Sequence, residues 1–187
     1  ILASLDLANN ELEAVGNKVA VMAERILEAK TYLQEAGFGI CDDEPLKITV
    51  CPKPKGMTGY EFAEHCENKG FVYEYADADH VVFMFSPNNS PLDPMRFADS
   101  VFCVDPKPPI KSSAPEFHLP EKAISIRKAA LSRQETVAVE ESEGRILAVP
   151  TVGCPPAVPI AVCGEKIDKP TIERFLYYGI TECTVVK

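Results

Sequence analysis

Five prolines between residues 106 and 120 constrain this chain more than any other feature. Pro106, Pro108, Pro109, Pro115 and Pro120 remove backbone donors and fix φ, so neither a helix nor the interior of a sheet can run through them. The chain must therefore organise itself in two parts joined by a stiff linker. On one side, residues 1–37 make a leading helix and residues 38–105 a small α/β domain. On the other, residues 121–187 make a C-terminal subdomain with its own elements. The linker itself is 106–120.

The leading helix is predicted from Leu5, Leu12, Val15, Val19, Met22, Ile26 and Leu33, which recur at three- and four-residue steps. A helix of this length with one apolar face needs a partner surface. Gly37 and Gly39 end it. Leu46–Cys51 alternates and is rich in β-branched residues, which predicts a strand. Thr58 and Glu61 have the spacing of a capping box, so a helix starts there and runs to about Lys69. Residues 71–75 and 80–85 read as strands, the second apolar enough to be buried on both faces. Residues 94–104 read as a helix. In the tail, residues 125–131 read as a helix and 140–146 as a short helical turn. Residues 149–152, 160–163 and 184–186 read as strands. Asp168 is placed to cap a helix that has Pro170 in its first turn and ends at Tyr178.

Composition excludes several classes of function. No apolar run approaches the roughly 20 residues that span a bilayer. A net charge of −9 opposes binding to a phosphate backbone. The seven cysteines are odd in number and contain no CxxC pair, which predicts reduced thiols and a cytoplasmic protein. The first residue is Ile1, inside an apolar pattern, as expected of a piece cut from something longer.

A search for a reaction centre finds no catalytic residue. His65 falls on a helix, His80 at the start of a strand and His118 in the linker. No HxxxH or HExxH spacing could hold a metal, and no GxSxG marks a nucleophile. Lys53, Lys55, Gly56 and Gly59 precede a helix N-terminus and could form an anion-binding loop; the competing reading is a solvated strand-to-helix loop. Glu140, Glu141 and Glu143 read as a solvated face.

Several short segments together resemble one family, the pyridoxal-phosphate-dependent Orn/Lys/Arg decarboxylases. Ile1–Asp6 resembles the start of the helix that leaves their large domain. Gly59-Tyr60-Glu61-Phe62-Ala63-Glu64 resembles a helix start. Ala76–His80 and Met84–Pro87 resemble a paired-strand segment. Ile124–Arg127, Glu135–Val137, Glu140-Glu141 and Gly144–Ile146 resemble the family's tail. Pro155-Pro156-Ala157-Val158-Pro159 followed by Gly164-Glu165 resembles a P-P-G-[IV]-P…P-G-E motif. Ala157 stands where that motif has Gly, and Cys163 where it has Pro.

The resemblance implies an α/β (α+β) fold: the small domain of a type I pyridoxal-phosphate enzyme, then a C-terminal α+β subdomain. It implies a parent enzyme that decarboxylates a basic amino acid in polyamine biosynthesis, acting as a homo-oligomer with pyridoxal phosphate. The family's Schiff-base lysine lies in a Ser-x-His-Lys segment, and this sequence contains no His-Lys pair. The chain alone is therefore expected to bind no cofactor and to be inactive. Its expected partner is the large cofactor-binding domain of the same parent chain, and it would shape the entrance to the active site. Pro155, Pro156, Ala157, Val158 and Pro159 are the segment expected near the substrate path. A stand-alone binding or interaction module that kept the fold is the alternative, and a sensor of small anions using the Lys53–Gly59 loop is a third reading.

Overall fold

The computed structural model describes residues 1–41, 44–102, 104–105, 107–150 and 159–187. The chain divides into two compact units, Ile1–Lys111 and Ser112–Lys187. The division falls inside the proline-rich stretch.

In the first unit, helix α1 (Leu2–Glu35) runs 34 residues, about 50 Å at 1.5 Å per residue. Its second half buries Met22, Ile26, Ala29 and Leu33 almost completely. The short strand β1 (Gly39–Cys41) pairs with β2 (Lys47–Cys51), which pairs with β4 (Val81–Met84), which pairs with β3 (Tyr75–Ala76). Every pairing is antiparallel. Helices α2 (Gly59–Asn68) and α3 (Asp93–Phe102) complete the unit. Phe97 of α3 is fully buried, and the rings of Phe71, Phe83 and Phe85 surround it at 4.4 to 6.3 Å between centroids.

Two expectations about these strands need correction. Residues 71–73 are not extended into a strand: Phe71 N–H donates to Cys66 O and closes the end of α2, and bonding to β4 begins only at Glu74, whose N–H donates to Val82 O just before the paired Tyr75–Ala76. Nor is β4 buried on both faces. Val81 and Phe83 point inward while Met84 is 57% exposed, because an antiparallel sheet covered on one side leaves the other to water.

The second unit holds α4 (Ile126–Ala130), β5 (Gln134–Ala138), α5 (Lys169–Tyr177) and β6 (Glu182–Val186). β5 and β6 form an antiparallel pair. Beneath them lies a separate core that includes Val139, Leu147, Ile167, Phe175 and Val185. Asp168 caps α5 as expected, its carboxylate accepting from Thr171 N–H, with Pro in the first turn. Ser125 caps α4.

Here too the sequence misled. Residues 160–163 form no strand. Glu165 N–H donates to Val162 O, and the Glu165 carboxylate accepts from Val162 N–H, which folds this stretch into a turn. The helical turn expected over 140–146 is only a 3-10 turn at Val139–Glu141. Ile146 and Leu147 then bridge to Lys166 and Val185. Val149 and Pro150 lie in no strand, and the rest of the expected strand 149–152 falls outside the described residues. The fold is α+β, with helices and two small antiparallel sheets. Among the described residues no helix is long and apolar enough to cross a membrane.

Phe97→Ala should lower unfolding free energy by about 3–5 kcal/mol, the usual cost of truncating a buried aromatic. Leu5→Ala, at a side chain 56% exposed, should change it by less than about 0.5 kcal/mol in the isolated chain. Urea unfolding of the two variants compares them directly.

Candidate functional site

The most structured polar cluster lies where the loop after β2 meets the N-terminus of α2. Thr58 and Glu61 form a reciprocal capping box. Glu61 N–H donates to Thr58 Oγ1 at 3.2 Å, and Thr58 N–H donates to the Glu61 carboxylate at 2.7 Å. That backbone hydrogen bond, with the Thr58 hydroxyl, holds the Glu61 carboxyl below the ordinary carboxylate range.

The Asp77–His80 turn packs onto the same helix start. Asp77 Oδ1 accepts from the backbone N–H groups of Asp79 and His80 at 2.7 Å each, and Tyr75 donates its hydroxyl to Asp77 Oδ2. Gly59 N–H donates to Ala78 O at 3.1 Å. A Cβ on Gly59 would stand 2.1 Å from the Asp77 carbonyl oxygen, so only glycine allows the helix and the turn to approach this closely. Burial, then Asp77 and Asp79, push the Tyr60 phenol above its ordinary value.

Lys53 is buried beneath this turn, and its ammonium is bonded to the Asp79 carboxylate. Asp77, Asp79 and His80 offer ligand atoms within 4.8 Å of one another, a grouping the sequence reading passed over because the residues looked like an ordinary turn. Its carboxylates already serve the turn's backbone and the Lys53 ammonium. The rest of the expected anion loop is engaged in the same way. Lys55 Nζ donates to Ala36 O at 3.0 Å and lies over the Phe38 ring. Gly56 N–H donates to Lys53 O. The carbonyls of Lys55 and Lys53 also accept from Lys107 and Ile110 N–H. The lysines and glycines thus meet at one place, but their donors point at protein oxygens.

The other residues singled out in the sequence are scattered. His65 lies on α2 beside Cys66, whose thiol is pushed up to about 12 by burial. His80 Nδ1 is 3.8 Å from Asp77. Glu140, Glu141 and Glu143 are all exposed. Pro155, Pro156, Ala157 and Val158 lie outside the described residues; Pro159 is half-buried.

In the second unit, Gly164 explains one motif physically. Its φ is +89°, its carbonyl accepts from Ala123 and Ile124 N–H, and a Cβ there would stand 2.4 Å from Ile124 O. A side chain cannot be fitted between these two segments. His118, expected in the proline-rich linker, sits 2.8 Å from Asp168. Arg174 donates to Pro115 O and lies over the Phe117 ring. Burial raises the Asp168 carboxyl, but hydrogen bonds from Thr171 and His118 outweigh it and leave the group below its ordinary value. Glu135 is lowered mainly by its hydrogen bond from Arg145.

These features define two small α+β units whose described polar clusters secure loops and helix ends. Residues 112–182 match the sequence profile of the Orn/Lys/Arg decarboxylase C-terminal domain. The arginine decarboxylase of Bacillus subtilis is 24% identical over 192 residues, covering 92% of this chain and 39% of that protein. The constitutive lysine decarboxylase of Escherichia coli shares the fold with a TM-score of 0.61 at 16% identity, over 91% of this chain and 41% of that one. The Francisella novicida lysine decarboxylase gives 0.65 at 14% identity, over 90% and 38%. Residues 112–182 belong to the Orn/Lys/Arg decarboxylase C-terminal domain family, and the chain corresponds to the C-terminal region of these decarboxylases. It spans about two fifths of the length of the relatives it matches.

Lys53→Met alone would leave the Asp79 carboxylate buried without its ammonium and should cost about 3–5 kcal/mol. Adding Asp79→Asn should recover a large part, and a double-mutant cycle by urea unfolding measures the coupling. For pH, Glu61, Glu135 and Asp168 are all lowered in the folded chain. A lowered carboxyl stabilises the fold above its unfolded value and loses that contribution as pH falls through the folded value. Stability should therefore hold above the ordinary values of 4.5 and 3.8 and decline below them. Glu135→Gln should shallow that decline in thermal melts taken across the acid range.

Proposed function

We propose that this chain is the C-terminal, non-catalytic portion of a decarboxylase of ornithine, lysine or arginine. In this reading it packs on the domain that carries pyridoxal phosphate and shapes the entrance to the active site. The observation that carries the proposal is one of coverage. The relatives match 92% and 91% of this chain but only 39% and 41% of themselves, so the remaining length is where the reaction would be housed.

The chemistry of the described residues agrees. A pyridoxal coenzyme is held through a lysine amine and through donors to its phosphate. The buried lysines Lys30 and Lys53 turn their amines to Glu44 O and to Asp79. The loop richest in donors bonds its own surroundings. These residues do not fit the coenzyme. The electron sink for decarboxylation would come from the rest of the parent, supported from outside by this scaffold. The Pro155–Pro159 segment is the part we assign to the substrate path, and assembly into an oligomer belongs to the whole parent.

The test compares the 187-residue chain with a longer gene product that includes sequence upstream of Ile1. The chain alone should give neither an aldimine absorbance band nor carbon dioxide from ornithine, lysine or arginine, and the longer product should give both. An aldimine formed by the chain itself, and abolished by one lysine substitution, would overturn the proposal. Within the parent, Pro156→Ala should alter the ratio of kcat/KM between basic amino acids while leaving the melting temperature in place.

A further inference from the structure

Side chains of α5 and of its cap hold the later part of the proline-rich stretch, residues 115–118. Arg174 Nη1 donates to Pro115 O at 3.0 Å, and its guanidinium lies 5.2 Å from the centre of the Phe117 ring. His118 Nε2 is 2.8 Å from Asp168 Oδ2. Further on the backbone itself is bonded, with Glu121 O accepting from Lys166 N–H.

The two oxygens of Asp168 serve different partners. Oδ1 caps α5, accepting from Thr171 N–H at 3.0 Å and from the Thr171 hydroxyl at 2.7 Å. Oδ2 faces His118. An ionised carboxylate only accepts, so the ring nitrogen beside it carries a proton. Whether the other ring nitrogen is also protonated sets the charge of the ring. A bond from the imidazolium is charge-assisted and stronger than a neutral one.

The surrounding charges leave His118 as the variable group. Asp168 is the acid within 4.0 Å of its ring among the described residues. Despite its burial, Asp168 lies below its ordinary value through its bonds from Thr171 and His118, so it stays ionised through the neutral range. Arg174 stays charged throughout. Lys169 and the N-terminal end of α5 oppose a cation, but the Asp168 carboxylate bridges the ring and that end. Glu116, Glu121, Lys166 and Lys169 are exposed. Histidine changes charge between about pH 5 and 8. His80 differs: its Nδ1 is 3.8 Å from Asp77, whose Oδ1 already accepts two backbone N–H groups.

We infer that His118 is a pH-sensitive latch: protonated, it holds residues 115–118 on the capped start of α5, and deprotonated it lets them lift, taking the Phe117 ring off Arg174. The neutral ring keeps a weaker bond, and the His118 and Asp168 side chains are 48% and 37% exposed. The change is therefore a shift in a docked–open balance, about 2–5-fold for a pair this open to water. The latch lies within the second unit and does not depend on the functional reading above.

The sequence contains no tryptophan, so Phe117→Trp places a single fluorescent ring over Arg174. Time-resolved anisotropy of this variant of the 187-residue chain separates docked from open states. The docked-to-open ratio should be about 2–5-fold higher at about pH 5.5 than at about pH 8. Its midpoint should coincide with the titration of the His118 ring protons in nuclear magnetic resonance. Adding His118→Gln, which can still donate to Asp168 but carries no charge, should remove the pH response. Adding Asp168→Asn, which still caps α5, should remove it too. A ratio that stays constant while the His118 ring titrates would overturn the latch, and so would a pH response that survives His118→Gln. If the indole itself disturbs docking, amide relaxation of Glu116, Phe117 and His118 in the native chain and in His118→Gln makes the same comparison with the same two outcomes.

Discussion

Burial of the second half of α1 is the interaction on which the first unit depends. Met22, Ile26, Ala29 and Leu33 lie in the same core as Phe62 and Phe97 and the inward residues of β2 and β4. The sheet has only four short strands, and one of its faces meets water. An antiparallel sheet of this size cannot hold alone, since its stability comes from the side that helices cover. The ring of aromatics around Phe97 adds shape to that burial, because tilted and edge-on contacts favour one arrangement over many.

The polar interior solves a different problem. The loop that leaves β2, the start of α2 and the Asp77–His80 turn converge on a small space and bring backbone donors, two carboxylates and an ammonium with them. Left unpaired, each would cost stability. The Asp77 carboxylate satisfies two backbone N–H groups, Asp79 faces Lys53, and Gly59 keeps its helix close to the turn by having no side chain. The lysines that look like an anion site in the sequence bond Asp79 and Ala36 O within the fold.

The second unit has its own core and its own closure. Gly164 brings two segments within bonding range, and the Glu165 carboxylate closes the turn before it. His118 and Arg174 tie the later part of the proline-rich stretch to α5. A stretch that composition alone describes as linker thus contains residues fixed by specific side chains, and its capped helix is tuned by the same Asp168 that meets His118.

The sequence by itself determined the long helix, the strands 47–51 and 81–84, and the caps at Thr58 and Asp168. These are local signals: apolar period, alternation, and a polar side chain one turn ahead of a helix. The family likeness was also legible, carried by many short segments in order. Other elements were not legible. β1 has three residues and β3 two, too few for alternation to show. β5 is Gln-Glu-Thr-Val-Ala, a polar strand that exists because β6 pairs with it. Residues 71–73 and 160–163 are apolar but are used to end a helix and to turn, roles set by partners such as Cys66 O and Glu165. Only the tertiary structure decided where Lys53, Lys55 and the Asp77–His80 carboxylates point. The physical reason is that a charge's role depends on what lies within a few ångströms of it, and those neighbours come from distant parts of the chain.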